Sequence, residues 1–165
     1  MRRKDREMSE RFALAVVDKC EYAVLSVTLA DQTPYCVPVS IVRMENCVYF
    51  HCARDGKKTG ALRQNPLVCV ACVGDTHRME NEFSTEYESA ILFGNASEVT
   101  DETEKVSALR RLCERHTPLN MDAFDSEIKR SLCRTAVWRI TIDMISGKRK
   151  KYDKDGKEIK SGRIE

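Results

Sequence analysis

Two adjacent lysines, Lys57 and Lys58, follow a strand-like run and a glycine in the segment Tyr-Phe-His-Cys-Ala-Arg-Asp-Gly-Lys-Lys-Thr-Gly-Ala-Leu-Arg-Gln-Asn-Pro at positions 49–66. This order is typical of a strand that turns at Gly56 into a helix. The first N–H groups of a helix lack internal partners, and the positive end of the helix dipole lies there. Together with two ammonium groups they can hold a phosphate. The alternative is a strand–turn–helix whose lysines are merely solvated.

The chain has eight cysteines, which could bind a metal, take part in redox chemistry or simply be buried in the core. Cys69 and Cys72 have Cys-x-x-Cys spacing, but residues three apart in a strand point to opposite faces, so their sulfurs should diverge. A zinc site would also need two more ligands, for which His77 is one candidate. We therefore expect reduced thiols and no metal site. Five of the cysteines lie among apolar residues of strand-like runs, where a thiol behaves as a small apolar group: Cys36, Cys47, Cys52, Cys69 and Cys72.

Length and charge limit the number of domains and the classes of partner that the chain could have. The chain has 165 residues, enough for one domain with a sizeable core, and its 28 basic and 26 acidic side chains nearly balance. The basic runs at 2–6 and 148–151 are not interleaved with aromatic residues that could stack bases, so we expect no nucleic-acid partner. No run reaches the roughly 18 apolar residues that span a bilayer, and no apolar core follows the basic N-terminus, as a secretory signal would require. We expect a cytoplasmic protein with no membrane partner.

Hydrophobic periodicity predicts six strands and four helical stretches. Short turns separate the first three strands, which favours an antiparallel meander. The fourth strand is almost entirely apolar, which indicates burial on both faces, and a polar loop is expected at 75–85. Gly94 is expected to allow a bend or bulge in the fifth strand. The strands are predicted at 22–29, 35–42, 47–53, 67–74, 87–99 and 135–145, and the helices at 9–20, 56–65, 100–116 and 121–132.

A short helix after the third of six strands suggests a small barrel with helices outside it. We expect a mainly β, six-stranded antiparallel split β-barrel with flanking helices. The single domain is expected to cover residues 1–147, including the N-terminal helix. Residues 148–165 form a polar C-terminal tail that we expect to fray.

Several motifs in this order resemble one family. They lie at 1–7, 34–39, 49–51, 56–58, 65–66, 87–94, 137–140 and 146–148. The chain resembles the FMN-binding split-barrel proteins related to pyridoxamine 5′-phosphate oxidase, and within them the 5-nitroimidazole resistance subgroup. No single motif is decisive, but their order and spacing together are specific. The resemblance covers nearly the whole chain.

The resemblance implies a homodimer with FMN at the subunit interface. The second strand would lie along the isoalloxazine ring, the end of the third would flank the ribityl chain and phosphate, and the lysine pair would neutralise the phosphate. Trp138 and Lys148 would reach the site from either subunit. Cys52 departs from the small hydroxyl or alanine expected there. The implied cofactor-binding residues are Val37, Pro38, Val39, Ser40, His51, Cys52, Ala53, Lys57, Lys58, Trp138 and Lys148.

His51 matches a histidine that the resistance proteins place beside the flavin, where it could donate a proton; the alternative is a satisfied core histidine. The resemblance implies an FMN-dependent oxidoreductase that reduces a small planar acceptor such as a nitroaromatic, with His51 catalytic. Two alternatives stay open. One is a flavin-binding or electron-carrying module without a dedicated substrate. The other is a haem-binding split-barrel protein with His51 or His77 as the iron ligand.

Overall fold

A computed structural model describes residues 2–80 and 82–160. The described chain forms eight strands and four α-helices, with short 3-10 helices at Lys4–Arg6, Pro118–Ala123 and Leu132–Arg134. In chain order the elements are β1 (Glu7–Met8), α1 (Glu10–Lys19), β2 (Ala23–Thr28), β3 (Pro34–Val39), β4 (Val42–Met44), β5 (Cys47–Ala53), α2 (Lys57–Gln64), β6 (Leu67–Arg78), β7 (Thr85–Glu98), α3 (Glu102–His116), α4 (Phe124–Ser131) and β8 (Thr135–Lys150).

The strands form one antiparallel sheet in the order β3-β2-β6-β7-β8-β5-β4, and β1 pairs separately with β8. β3 and β4 are the two ends of this path, yet only Ser40 and Ile41 separate them in the chain. The Cα atoms of Val39 and Val42 therefore lie within about 11 Å of each other. The sheet must curl until its ends meet, which makes a barrel split between β3 and β4. The expected class, a split β-barrel with flanking helices, is confirmed, with eight strands instead of six.

The expected meander of the first three strands is wrong. The predicted strand at 35–42 is two strands, β3 and β4, at opposite ends of the sheet, and β3 does not pair with β5. The inward alternation of Val37, Val39 and Ile41 continues through the break, since Ile41 is fully buried in the core. The alternation of buried and exposed side chains therefore could not show that the chain leaves its pairing with β2 and begins to pair with β5 after Ser40.

β6 and β7 form a longer hairpin than the sequence indicates. They pair as far as Arg78 with Thr85, through a register shift between Val73 and Thr76, so the first four residues and the last residue of the expected loop at 75–85 are strand. Cys72 is buried in the barrel while Cys69 lies on the other face, which confirms that the two sulfurs diverge. Burial on both faces is wrong for the single chain. Leu67 and Val73 on the outer face are 61% and 54% exposed.

The last strand passes the expected domain boundary at 147. β8 pairs with β7 as far as Lys150 opposite Tyr87. Tyr152 and Glu158 then form an isolated bridge, and Arg6 Nε donates to Glu158 Oε1 at 2.6 Å. The expected fraying is therefore wrong for residues 148–160, which fold back on the N-terminal segment. Residues 161–165 of the predicted tail lie outside the described residues.

Two clusters of buried side chains lie on either side of the β5–β8 wall. The first fills the barrel, where α1 and α2 contribute Val16, Val17 and Leu62. The second lies outside, where α3 and α4 cover β4, β5 and β8 with Leu109, Leu112 and Phe124 among others. Successive residues of β5 therefore enter different clusters. No helix within residues 2–80 and 82–160 is long and apolar enough to cross a membrane.

Candidate functional site

The N-terminus of α2 is built to expose backbone donors. Gly56 precedes the helix with φ 149°, a conformation that other residues rarely adopt, and it has no side chain to cap the first turn. Nothing lies within 4 Å of where a Cβ at Gly56 would be. The first intrahelical bond joins Gly60 N–H to the Gly56 carbonyl, so the preceding N–H groups at the helix start have no intrahelical partner.

The two lysines of this turn have no acidic partner. Lys57 Nζ lies 4.9 Å from the centroid of the Tyr35 ring, and Lys58 Nζ lies 5.2 Å from that of Phe50. Within the described ranges, no Asp or Glu oxygen comes within 4.0 Å of either ammonium group, although many other basic side chains form such ion pairs. Two cations without a carboxylate in ion-pair contact, a helix dipole and backbone donors are therefore present in the first turn of α2. Such a place binds an anion such as a phosphate group.

β3 borders this anion site. The Lys57–Tyr35 contact joins α2 to β3, which is the end strand of the sheet and pairs only with β2. One row of its main-chain N–H and C=O groups therefore has no strand partner. Val37 and Val39 face the barrel, and Pro38 and Ser40 face outward. A flat ring with polar atoms along its rim can lie on this edge and exchange hydrogen bonds with the main chain.

The end of β5 presents its side chains in two directions. Phe50 is buried in the barrel and Cys52 packs partly against the same core, where burial raises the pKa of the Cys52 thiol. His51 lies on the opposite face of β5. Desolvation, followed by the charges of Lys58 and His116, lowers the pKa of His51, so its neutral form is favoured. The charge of Lys58 contributes to lowering the pKa of His51 and opposes the rise in the pKa of Cys52.

His51 lines a cavity of about 550 Å³ outside the barrel, between β5, α3 and α4. The floor of the cavity is apolar, and includes Leu112 and Phe124. Asn120 and Arg134 stand at the same cavity with His51. Sequence reasoning missed both residues, because each lies far from His51 in the chain and carries no local motif. The position of Arg134 immediately before a predicted strand was the one available signal.

Two of the implied cofactor residues do not join this group. Trp138 is buried in the barrel core, opposite Phe50 in the register of β5 and β8, and its Nε1–H has no hydrogen-bond partner among the described residues. Lys148 lies ten residues further along β8, a rise of about 33 Å for an extended strand. Its Nζ lies 5.6 Å from the centroid of the Tyr87 ring. Within one chain, Lys57 contacts Tyr35 of β3 and Lys58 contacts Phe50 of β5, whereas His51 lines the separate cavity outside the barrel.

The other histidines have separate roles. His116 Nε2 lies 2.9 Å from the Ile41 carbonyl oxygen and ties the end of α3 to the link between β3 and β4. His77 is exposed on β6, in a strand and not in the expected loop. No group of three or more His, Cys, Asp or Glu side chains in the described ranges could hold a metal ion.

Comparison with known proteins bears on this arrangement. The model of the family described as pyridoxamine 5′-phosphate oxidase matches residues 9–149. The chain belongs to this family. No curated protein matches the chain.

Solved structures share the fold of this family member at low identity. A candidate 5-nitroimidazole antibiotic resistance protein of Bacteroides thetaiotaomicron is 20% identical, with a TM-score of 0.71 over 86% of this chain and 85% of that one. A conserved hypothetical protein of Mycobacterium tuberculosis is 16% identical, with a TM-score of 0.75 over 88% of each chain. An FAD- and haem-binding protein of Mycobacterium smegmatis is 21% identical, with a TM-score of 0.70 over 88% of this chain and 73% of that one.

Proposed function

We propose that this member of the pyridoxamine 5′-phosphate oxidase family is an FMN-binding oxidoreductase that reduces a small planar acceptor. The observation that carries the proposal is the pair of uncompensated lysines, Lys57 and Lys58, at the uncapped start of α2 beside the open edge of β3. The lysines and the α2 N–H groups would hold the phosphate. Residues 37–40 would lie along the isoalloxazine ring, and Cys52 and Ala53 along the ribityl chain. The flavin would supply the redox chemistry.

FMN fits better than a dinucleotide. The site has one compact cluster of cations, enough for a terminal phosphate, and the sequence has no glycine-rich fingerprint for an adenosine half. The M. smegmatis structure named above is that of an FAD-binding protein. Titrating the purified protein with FMN and FAD in parallel distinguishes the two flavins. An absorbance spectrum distinguishes a flavin protein from the haem-binding alternative, since bound haem gives a Soret band.

The proposal includes a homodimer with the flavin at the interface. Two register rows cross the outer face of β3, β2, β6, β7 and β8 without a charged side chain. At the β7–β8 end of this uncharged face, Phe93 and Met144 pair with each other and are 45% and 59% exposed. A second copy would cover it, because such a face is unusual on a monomer. The rows are Cys36-Ser26-Cys69-Phe93-Met144 and Pro38-Val24-Ala71-Ile91-Ser146.

His51 would serve the acceptor and not the flavin phosphate. It faces the cavity behind β5, and desolvation lowers its pKa, which favours the neutral form. A neutral imidazole can donate a hydrogen bond from its N–H to the acceptor and orient it for reduction. We therefore expect His51→Ala to lower turnover by about 10²-fold while flavin content stays nearly unchanged. Full activity in this variant would show that His51 takes no part in the reaction.

The lysine pair gives the direct test of the phosphate site. Replacing Lys57 and Lys58 together by alanine removes charge-assisted hydrogen bonds of about 1.5–3 kcal/mol each, so FMN affinity should fall on the order of a hundredfold or more. The matched control replaces Lys154 and Lys157, two exposed lysines near the C-terminus, by alanine. It changes the net charge equally and should keep wild-type affinity. Fluorescence titration measures the FMN affinity of the wild type and of the two double variants. Unchanged affinity after replacement of Lys57 and Lys58 would show that these lysines do not bind the phosphate.

A further inference from the structure

The cavity behind β5 has the form of a ligand pocket in its own right. It lies between β5, α3 and α4, on the face of β5 opposite to Phe50 and Cys52, and holds about 550 Å³. Pockets for small molecules have volumes of about 300–1,000 Å³, with mostly apolar walls and a few polar groups. Leu109, Leu112 and Phe124 supply buried apolar walls here.

Three polar side chains line this pocket without using their hydrogen-bonding capacity. His51, Asn120 and Arg134 make no side-chain hydrogen bond or ion pair to any residue in the described ranges. Arg134 differs in this respect from two nearby arginines, which both form ion pairs. Arg110 is bonded to Asp125 at 2.9 Å, and Arg130 is bonded to Glu127 at 3.1 Å. The guanidinium of Arg134 is therefore a set of uncommitted donors at the edge of an apolar cavity.

The ion pairing around the pocket favours an anion. Glu127 also lines it, but Arg130 is the main cause of the lowered pKa of Glu127, and Arg134 contributes least. The lining carries one acidic and one basic side chain, Glu127 and Arg134; Arg130 holds the Glu127 carboxylate, whereas the Arg134 guanidinium is in no ion pair in the described ranges and can meet a ligand. A guanidinium fork matches the two oxygens of a carboxylate, and it is weakly hydrated enough to work beside apolar walls.

We propose that this pocket binds a small planar organic acid. Its ring would lie against Leu112 and Phe124, and its carboxylate would accept hydrogen bonds from Arg134 and Asn120, with the imidazole of His51 at the same wall. The acid would be the acceptor class of the oxidoreductase; that assignment rests on the proposed function, whereas binding of the acid requires no flavin. The nitroaromatic acceptor that the family resemblance implies would then be favoured when it also carries a carboxylate.

Calorimetric titration with benzoate, on flavin-free and FMN-loaded protein, tests the proposal. We expect saturable binding with one benzoate per chain in both forms. Benzamide has the same shape without the charge, and nitrobenzene has two oxygens without the full charge, so both should bind at least tenfold more weakly. No saturation with benzoate in either form, or equal binding of the three compounds, would overturn the proposal. Loss of FMN binding with benzoate binding intact would overturn only the proposed flavin function.

Matched variants locate the binding. Arg134→Gln and Asn120→Ala remove the donors and should weaken benzoate binding at least tenfold and about threefold respectively. Both side chains are exposed, so neither change should alter the unfolding temperature. Arg111→Gln is the control, because Arg111 lies on α3 but lines a different cavity. Undiminished binding in Arg134→Gln, or an equal loss in Arg111→Gln, would contradict the placement of the acid.

Discussion

Neighbouring residues of β5 belong to different sites, which decides what each can do. Phe50 and Cys52 face the barrel, whereas His51 and Tyr49 face α3 and α4. The start of α2 at Gly56, Lys57 and Lys58 could be predicted from the sequence because these residues are adjacent and belong to one helix start. Arg134 could not be predicted, because only the pairing of β5 with β8 brings it to His51. Sequence reasoning is strongest where the groups of a site lie within one turn.

Tyr49 shows how the outer cluster holds a polar group. Its hydroxyl donates to Glu104 Oε1 at 2.9 Å, and Arg139 Nη1 donates to the same oxygen at 3.0 Å. The residue is 6% exposed. Burial, followed by the hydrogen bond to Glu104 and its charge, raises the pKa of Tyr49 to about 12. Ionisation of this hydroxyl would place a second negative charge beside Glu104.

We expect Tyr49 to make the protein less stable at high pH. Below pH 10 the hydroxyl is protonated in both the folded and the unfolded chain. Between pH 10 and about 12 the unfolded chain loses this proton first, so the free energy of unfolding falls as pH rises. Tyr49→Phe should unfold more easily at pH 8, by about 1.5–3 kcal/mol for the lost bond to a charged group, and should lose less stability above pH 10. Urea unfolding at pH 8, 10 and 11 measures both effects. The prediction would be contradicted if the free energy of unfolding changed with pH by the same amount in the two proteins.

At the scale of the elements, β7 and β8 come unusually close at Gly94. The register of the two strands shifts between Phe93 and Gly94, which confirms the expected bulge. A Cβ on Gly94 would lie 2.1 Å from the Thr141 carbonyl oxygen, a backbone atom that cannot turn aside. The glycine in the strand pattern predicted a bend or bulge at this position. The sequence could not show that a glycine is required because the backbone of Thr141, 47 residues away in the chain, lies so close to it.

Gly94→Ala is therefore expected to destabilise the barrel. The strands must separate to admit the methyl group, and overpacking of this kind costs about 1–3 kcal/mol or more. Gly60→Ala is the matched control, because Gly60 lies inside α2 with nothing within 4 Å of an added Cβ. Alanine there should stabilise the helix by about 0.5–1 kcal/mol. Denaturant unfolding of the flavin-free proteins measures both changes, and a neutral effect at Gly94 would show that the two strands can move apart without loss.

At the scale of the whole molecule, the sequence did not predict that the curled sheet leaves the outer face of β6 exposed in the single chain. The apolar run of β6 indicated burial on both faces, and one face is exposed in the single chain. A second copy on the uncharged face would give this strand the burial that its sequence indicates. That face includes β3, the strand that would carry the flavin ring, so dimerisation and flavin binding should depend on the same surface.

A charge at Phe93 should therefore remove both properties. In a two-fold symmetric contact Phe93→Glu enters twice, and each buried unpaired carboxylate costs several kcal/mol, so the dimer should dissociate on the order of 10³-fold more readily. FMN affinity should fall with it, although Phe93 is not among the residues placed at the phosphate. Phe83→Glu is the control, because Phe83 is fully exposed in the turn between β6 and β7, and it should leave the dimer and its flavin intact. Sedimentation velocity with and without FMN measures the dimer, and fluorescence titration measures the flavin. A Phe93→Glu protein that remains dimeric would place the interface elsewhere, and a monomer that binds FMN as tightly as the wild type would show that one chain holds the flavin alone.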